Sequence, residues 1–445
     1  MNARETALKV LQEVEAGNRK SEEVLNRMLE HAGAGRSDRA LARELVSGTL
    51  KYRRQCDFVI SKFYSHDYAK AAPVLKNILR LGVYQLLHLD RVPRPAAVDE
   101  CVKLARKYKG DHLSRLVNGV LRKISPKTVE LEAWTDGMEE TQRLSVLYSY
   151  PEWLVGRWLD RYGRELTERM LGYGNLPPAT GYRVNRLKGS FDKLADTSEL
   201  PDLRRAGEDL DDFFFTREFV RMEPLLSAGL VSVQNPAQGL ACLLAAPEPG
   251  SVVYDMCAAP GGKSTFMAEL MNDTGRIIAL DRSARKLDRV ASNAKALGIA
   301  IIEPLEGDAL TFDPGCTPDT ILLDAPCTGT GVLGRRAELR WRTGPEKLVE
   351  LVDLQVTLLD RAAMLLRNGG ILVYATCSLE PEENEQQVGS FLDRHPEFET
   401  APFPNGFPKA FLPAEETGGR LISLPGEREG FDGGFAARLR KRELA

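Results

Sequence analysis

Residues Tyr254–Thr265 read YDMCAAPGGKST, an apolar run ending in an acid and followed by a small-residue loop. The Gly262-Lys263-Ser264 ending is that of a phosphate-binding loop, G-x-x-x-x-G-K-[ST], but Cys257 occupies the position of its first glycine. Cys257, Ala258 and Ala259 lack the backbone freedom that wraps phosphates, so a phosphate loop is the weaker reading. What remains is a strand, a loop of close approach and the start of a helix. The rest of the C-terminal half repeats the pattern.

The stretches SVVYDM, RIIALD, IIEPLEGD, TILLDAP and GILVYATCS are five strand candidates separated by segments of helical composition. Strands alternating with helices predict an α/β, doubly wound, Rossmann-like domain on a parallel sheet, whose ligands bind at the carboxyl ends of the strands. Asp255, Asp281, Asp308 and Asp324 close four successive strands and are predicted to converge on one crevice. An acid after the second strand accepts hydrogen bonds from ribose hydroxyls and repels phosphate, and the next can meet an adenine amino group. The APGG stretch lets a ligand approach the backbone closely. Together they predict a nucleoside without phosphates, and the cationic S-adenosylmethionine fits. Each Asp alone also reads as a helix cap; four in register carry the ligand reading.

Seven cysteines at irregular spacing, with no C-x-x-C pair, argue against a disulfide framework and a zinc site, so no metal is expected. Cys56, Cys101, Cys242 and Cys316 read as small core hydrophobes. Cys327, in DAPCTGTG, and Cys377, in YATCSLEPEEN, follow the fourth and fifth strands and are predicted to face the methyl donor. Carbon 5 of a pyrimidine becomes nucleophilic once a thiolate adds to carbon 6, and the proton on carbon 5 must leave before the thiol is eliminated. Two thiols suit those two tasks. Chemistry alone does not say which one attacks.

The 445 residues allow two to four domains, and 43% hydrophobic with 28% charged residues is the composition of a folded chain. Residues 3–125 read as six or seven helices: Ala7, Val10, Leu11 and Val14 follow helical spacing, as do Leu75, Ile78, Leu79 and Leu86. The net charge is −3, yet residues 1–126 carry 24 basic against 14 acidic residues, and residues 51–126 carry 16 against 6. That excess reads equally as a phosphate-backbone footprint or a solvated helical face. Residues 127–149 lack periodicity and are expected to be a linker. Residues 150–233 are expected to form a small mixed α/β subdomain, and residues 234–445 the catalytic domain. The amphipathic, charged start and the lack of an 18-residue apolar run predict a cytoplasmic protein with no membrane span, and a monomer is the simpler expectation.

These motifs resemble the RNA cytosine-5 methyltransferases, among them the RsmB (Sun/Fmu) type acting on 16S ribosomal RNA. The resemblance rests on DMCAAPGGKS, ALD with Asp281, GDA with Asp308, LLDAPCTGTG and YATCSLEPEEN. Residues 3–125 look like the NusB-like RNA-binding domain of that branch, and the 150–233 region is similar to its RRM-like subdomain.

The resemblance implies that Cys377 is the nucleophile and Cys327 promotes product release. It implies that Cys257, Ala258, Ala259, Pro260, Gly261, Gly262 and Lys263 line the methionine end of the methyl donor. Asp281 would hold its ribose, Asp308 its adenine, and Asp324 would stand between donor and target base. The implied partner is 16S rRNA or an early small-subunit assembly intermediate. The same reaction on tRNA or 23S rRNA, and a non-catalytic assembly factor, are the alternatives. The chain departs from the pattern at QNPAQ in place of QDxAS, at Thr328 in place of Ser, at RRAELRWR in place of a RRHPDIKW-like stretch, and at Gly434 in place of an aromatic residue. None of these removes a catalytic group.

Overall fold

The computed structural model describes residues 2–17, 19–33, 35–197, 202–413 and 418–443. The chain forms two compact units: Met1–Leu176 with Leu333–Arg342, and Pro177–Val332 with Thr343–Ala445.

The first unit is helical, with Ala3–Ala16, Ser21–Ala32, Arg36–Lys51, Arg53–Phe63, Pro73–His88 and Arg94–Leu121 in its amino-terminal part. Asn2 caps the first helix by accepting from the Glu5 amide at 2.9 Å, and Pro73 opens the fifth at a position where no amide is needed. Leu75, Ile78, Leu79 and Leu86 are buried, as their spacing predicts, and pack with Ala7, Leu11 and Val14 in one core.

The 127–149 stretch, expected to be a linker, contains helices Leu131–Thr135 and Glu140–Tyr148. Elements of 5 and 9 residues are too short to display a helical period. Helix Glu152–Asn175, assigned from sequence to the start of the small subdomain, belongs to this first unit.

Leu333–Arg342 joins the same unit although it falls between the fourth and fifth strand candidates. Arg340 has no exposed surface and donates to the carbonyls of Lys51, Ser149 and Gly174 and to Asn175 Oδ1, at 3.1, 3.2, 2.8 and 2.8 Å. Its guanidinium lies 3.7 Å from the centre of the Tyr150 ring. Burial lowers the proton affinity of Arg340, and burial beside Arg340 pushes Lys51 down to about 8. The departure at RRAELRWR is therefore packed into the helical unit.

The second unit opens with a four-stranded antiparallel sheet: β1 (Gly181–Val184), β2 (Arg204–Arg205), β3 (Phe213–Phe215) and β4 (Val231–Val233), in the order β2-β3-β1-β4. Tyr182, Val184, Phe214, Met222 and Val231 form its small core. Beyond it, β5 (Val252–Asp255), β6 (Arg276–Asp281), β7 (Ile302–Glu306), β8 (Thr320–Asp324) and β9 (Ile371–Thr376) are the five predicted strands, and their neighbour pairings are parallel.

Three strands that the sequence reading did not identify complete a mixed sheet: β10 (Phe398–Thr400), β11 (Arg420–Ser423) and β12 (Gly434–Lys441). The order is β10-β12-β9-β8-β5-β6-β7, with β12 antiparallel to β9 and β11 paired to β12. Alternate residues of each central strand enter opposite cores. Val253, Leu322 and Val373 pack on one face, and Tyr254, Ile321, Leu323, Leu372 and Tyr374 on the other. No helix among the described residues is long and apolar enough to cross a membrane.

Candidate active site

The candidate site residues follow the carboxyl ends of β5, β6, β7, β8 and β9. After β5 the chain runs through Cys257–Gly261 into helix Gly262–Leu270. Ala258 donates its amide to Leu280 O at 2.8 Å, which ties the loop to β6. Gly261 has φ +97° and a Cβ there would stand 3.1 Å from Val290, so the turn requires glycine.

Lys263 does not project as a phosphate ligand. Its ammonium donates to Asp324 Oδ2 at 2.6 Å. Burial opposes the lysine charge, but Asp324 outweighs it and holds Lys263 above the ordinary lysine range. With that lysine neutralised, the loop offers no net positive charge to phosphates.

The four strand-end acids do not all enter one crevice. Asp255 is turned inward, 1% exposed, and accepts from Ser264 Oγ at 2.7 Å. Its place at the very end of β5 made it look like a ligand, but the residue alternation of the strand aims it beneath the loop. Asp281, at the end of β6, accepts from the Ser283 amide at 2.9 Å, and Asp308, two residues past β7, pairs with Arg282 at 2.7 Å. That ion pair holds the Asp308 carboxyl below the usual range. A separate recess is lined by Lys263, Asp324, Thr376, Cys377, Gly433 and Gly434, among others.

Cys327 and Cys377 come together, with their sulfurs 3.3 Å apart. The hydrogen bond with Cys377, and burial after it, push the Cys327 thiol well above its ordinary range. Cys56, Cys101 and Cys242 are buried as expected, and Cys316 is half-buried. Among the described residues no cluster of ligands suits a metal ion.

Sequence reasoning missed two sets of side chains. Under the cysteine loops, Thr328, Ser378, Glu383 and Asn384 form a buried polar network; the last three were quoted within YATCSLEPEEN but given no role. Behind the Cys257–Gly261 loop, Arg183 on β1 pairs with Glu269 at 2.6 Å, and its Nη1 reaches Gly262 O at 3.2 Å and Gln234 Oε1. An arginine between apolar residues in a strand was the available signal. Thr328 supplies the hydroxyl that this network uses.

Paired carboxylates, a neutralised lysine and an open glycine turn suit a cationic nucleoside rather than a nucleotide. The fold and this donor set define a Rossmann-like methyltransferase, and comparisons with known proteins agree. Residues 241–440 match the family described as 16S rRNA methyltransferase RsmB/F, residues 1–126 the NusB family, and residues 150–199 the RsmF/B-like ferredoxin-like domain. The "Probable ribosomal RNA small subunit methyltransferase B" of Synechocystis sp. is 34% identical, over 99% of this chain and all of its own. The Bacillus subtilis protein of the same name is 32% identical, over 99% of each chain. Among solved structures, PH0851 aligns with a TM-score of 0.81 at 27% identity, over 99% of this chain and 98% of that one. A methyltransferase homolog protein from Pyrococcus horikoshii aligns with 0.58 at 28%, over 68% and 98%. The chain belongs to the RsmB/F family of 16S rRNA methyltransferases.

Proposed function

We propose that this protein transfers the methyl group of S-adenosylmethionine to C5 of a cytosine in 16S ribosomal RNA through a covalent bond from Cys377 to C6. The observation that carries the reading is the 3.3 Å approach of the two strand-end thiols, with Lys263 and Asp324 lining the same recess as Cys377. S-adenosylmethionine supplies an electrophilic methyl group when bound. The Cys257–Lys263 loop holds its methionine end, Asp281 its ribose and Asp308 its adenine. Cys377 attacks as the thiolate, with the Lys263 ammonium close enough to favour negative charge there. Asp324 bonds the N3/N4 edge of the base as charge builds on the ring. Cys327 then assists removal of the C5 proton.

The target base leaves its stack to reach the recess, at a cost of a few kcal/mol that falls in single-stranded RNA. In this reading residues 1–126 bind RNA, β1–β4 form the RRM-like subdomain, and the sheet of β5–β9 carries the chemistry. The protein acts as a monomer in the cytoplasm, on 16S rRNA or an early small-subunit intermediate.

The test incubates wild type, Cys327→Ala and Cys377→Ala with unmodified 16S rRNA and radiolabelled S-adenosylmethionine, followed by a denaturing gel. Expected are labelled RNA with wild type, a persistent protein-RNA adduct with Cys327→Ala, and neither with Cys377→Ala. Full methyl transfer by Cys377→Ala overturns the nucleophile assignment.

A further inference from the structure

Glu383 is fully buried at the end of the 3-10 turn Pro381–Glu383, six residues after Cys377. Its carboxylate reaches across to the other cysteine loop. Oε1 accepts the Thr328 amide at 2.9 Å and Oε2 the Thr328 hydroxyl at 2.5 Å. Oε1 also accepts from Gln355 Nε2 at 3.0 Å, and the same nitrogen donates to Pro326 O at 2.8 Å. Residues on both sides of Cys327 are thus fastened to one carboxylate that belongs to the loop of Cys377.

The remaining stitches run the same way. Thr328 Oγ1 lies 3.1 Å from Ser378 Oγ, Leu379 donates its amide to Thr330 Oγ1 at 2.8 Å, and Gly331 donates to Cys377 O at 2.9 Å. Glu383 itself is anchored, since Tyr374 Oη donates to its backbone carbonyl at 2.7 Å. A buried carboxylate is costly to keep, and burial raises the Glu383 carboxyl above its usual range despite these donors. Hydrophobic packing would hold two loops together at lower cost. A carboxylate adds directed bonds that fix where the loops stand, to a fraction of an ångström.

We propose that Glu383 is a positioning residue that fixes the backbone on either side of Cys327 and so sets the approach of its sulfur to Cys377, on which release of methylated RNA depends. The inference rests on the two-cysteine reading above. Once Cys377 is bonded to C6 it no longer holds the Cys327 proton, which passes to water, and in the release step C5 gives its proton to the Cys327 thiolate. The C5–H electron pair closes the C5–C6 double bond, and the C6–Sγ bond breaks with its pair staying on Cys377. The step requires the two sulfurs on the same few ångströms of the base. Attack by Cys377 requires only one of them.

The experiment uses the full chain with 16S rRNA and radiolabelled S-adenosylmethionine, and measures the ratio of protein-RNA adduct to free methylated RNA on denaturing gels. Glu383→Ala is expected to raise that ratio about tenfold or more, because displacement of a reacting group by about an ångström is enough for such losses. Thr328→Val, which keeps the amide donor and loses the hydroxyl, is expected to move it the same way by less. Glu383→Gln, which keeps an acceptor at the clamp, is expected to lie nearer wild type than Glu383→Ala. Thermal melting is followed in parallel, because a merely structural role lowers stability without moving the ratio. Labelled RNA formed at the wild-type ratio by both Glu383→Ala and Thr328→Val overturns the proposal. If Glu383→Ala does not fold, Thr328→Val at the wild-type ratio overturns it alone. Cys327→Ala in the same gel separates the two failures: a variant that traps no adduct removes the two-cysteine reading itself.

Discussion

Arg183 and Glu269 form an ion pair at 2.6 Å in which neither side chain has any exposed surface. Arg183 lies on β1 of the small antiparallel sheet, and Glu269 lies in the helix that follows the Cys257–Gly261 loop, so the pair joins that sheet to the helix. Burial holds the Glu269 carboxyl above its usual range, with Arg183 pulling the other way. Removing one partner leaves a buried charge alone: Arg183→Met is expected to cost about 3–5 kcal/mol, and Arg183→Met with Glu269→Leu to recover much of that. Denaturant unfolding of the singles and the double checks it, and a double variant as unstable as Arg183→Met removes the argument.

Gly331 and Gly433 meet back to back. A Cβ on Gly331 would stand 2.4 Å from Gly433 O, and the Gly331 amide is the donor to Cys377 O. The neighbouring Gly434 would place a Cβ 2.8 Å from Thr376 O. Gly331→Ala is expected to cost about 1–3 kcal/mol by overpacking and to slow methyl transfer, because the backbone that yields carries Cys377. Gly389→Ala, in a helix with nothing within 4 Å of the added methyl, is expected to gain about 0.5–1 kcal/mol. Melting temperatures of the two variants moving in the same direction would refute the contrast.

The sequence was readable where a period or a motif repeated. Leu75, Ile78 and Leu79 marked a helix because one face recurs, and VVYD, RIIALD and TILLD marked strands because both faces of a parallel sheet are buried. The strands β10 and β11 were not readable, since segments of 3 and 4 residues pairing with a distant edge have no local signature. Asp255 was misassigned to the ligand crevice because a motif gives position along a strand but not the side to which a residue turns. Arg340 and Glu383 were missed for a related reason. Their partners are backbone groups and hydroxyls far away in sequence, which no spacing rule reaches.

Asp255 makes stability depend on pH. Burial pushes its carboxyl up to about 7, with Ser264 pulling it down. The folded state therefore holds this proton more tightly than the unfolded chain does. Its contribution to stability is full below the ordinary value of 3.8 and is lost as pH rises to about 7, after which it is constant. The loss is at most about 4 kcal/mol at 1.36 kcal/mol per unit. Asp255→Asn keeps an acceptor for Ser264 and cannot ionise. Its melting temperature minus that of wild type is expected to climb between pH 4 and 7 and then level off. A difference that stays flat across that range assigns the titration elsewhere.

Asp281 offers the most direct test of the ligand. It closes β6, only 13% exposed at its side chain, with one oxygen engaged by the Ser283 amide. Loss of a charge-assisted hydrogen bond of about 1.5–3 kcal/mol weakens binding roughly tenfold to hundredfold. Asp281→Ala is thus expected to need that much more S-adenosylmethionine for the same rise in melting temperature, while its unliganded melting stays near wild type. ATP with magnesium is expected to shift neither protein, because Lys263 is committed to Asp324 and Asp281 repels phosphate. Stabilisation by ATP-magnesium without stabilisation by S-adenosylmethionine would restore the phosphate-loop reading of Gly262-Lys263-Ser264. An unchanged affinity in Asp281→Ala would move the ribose to another strand end.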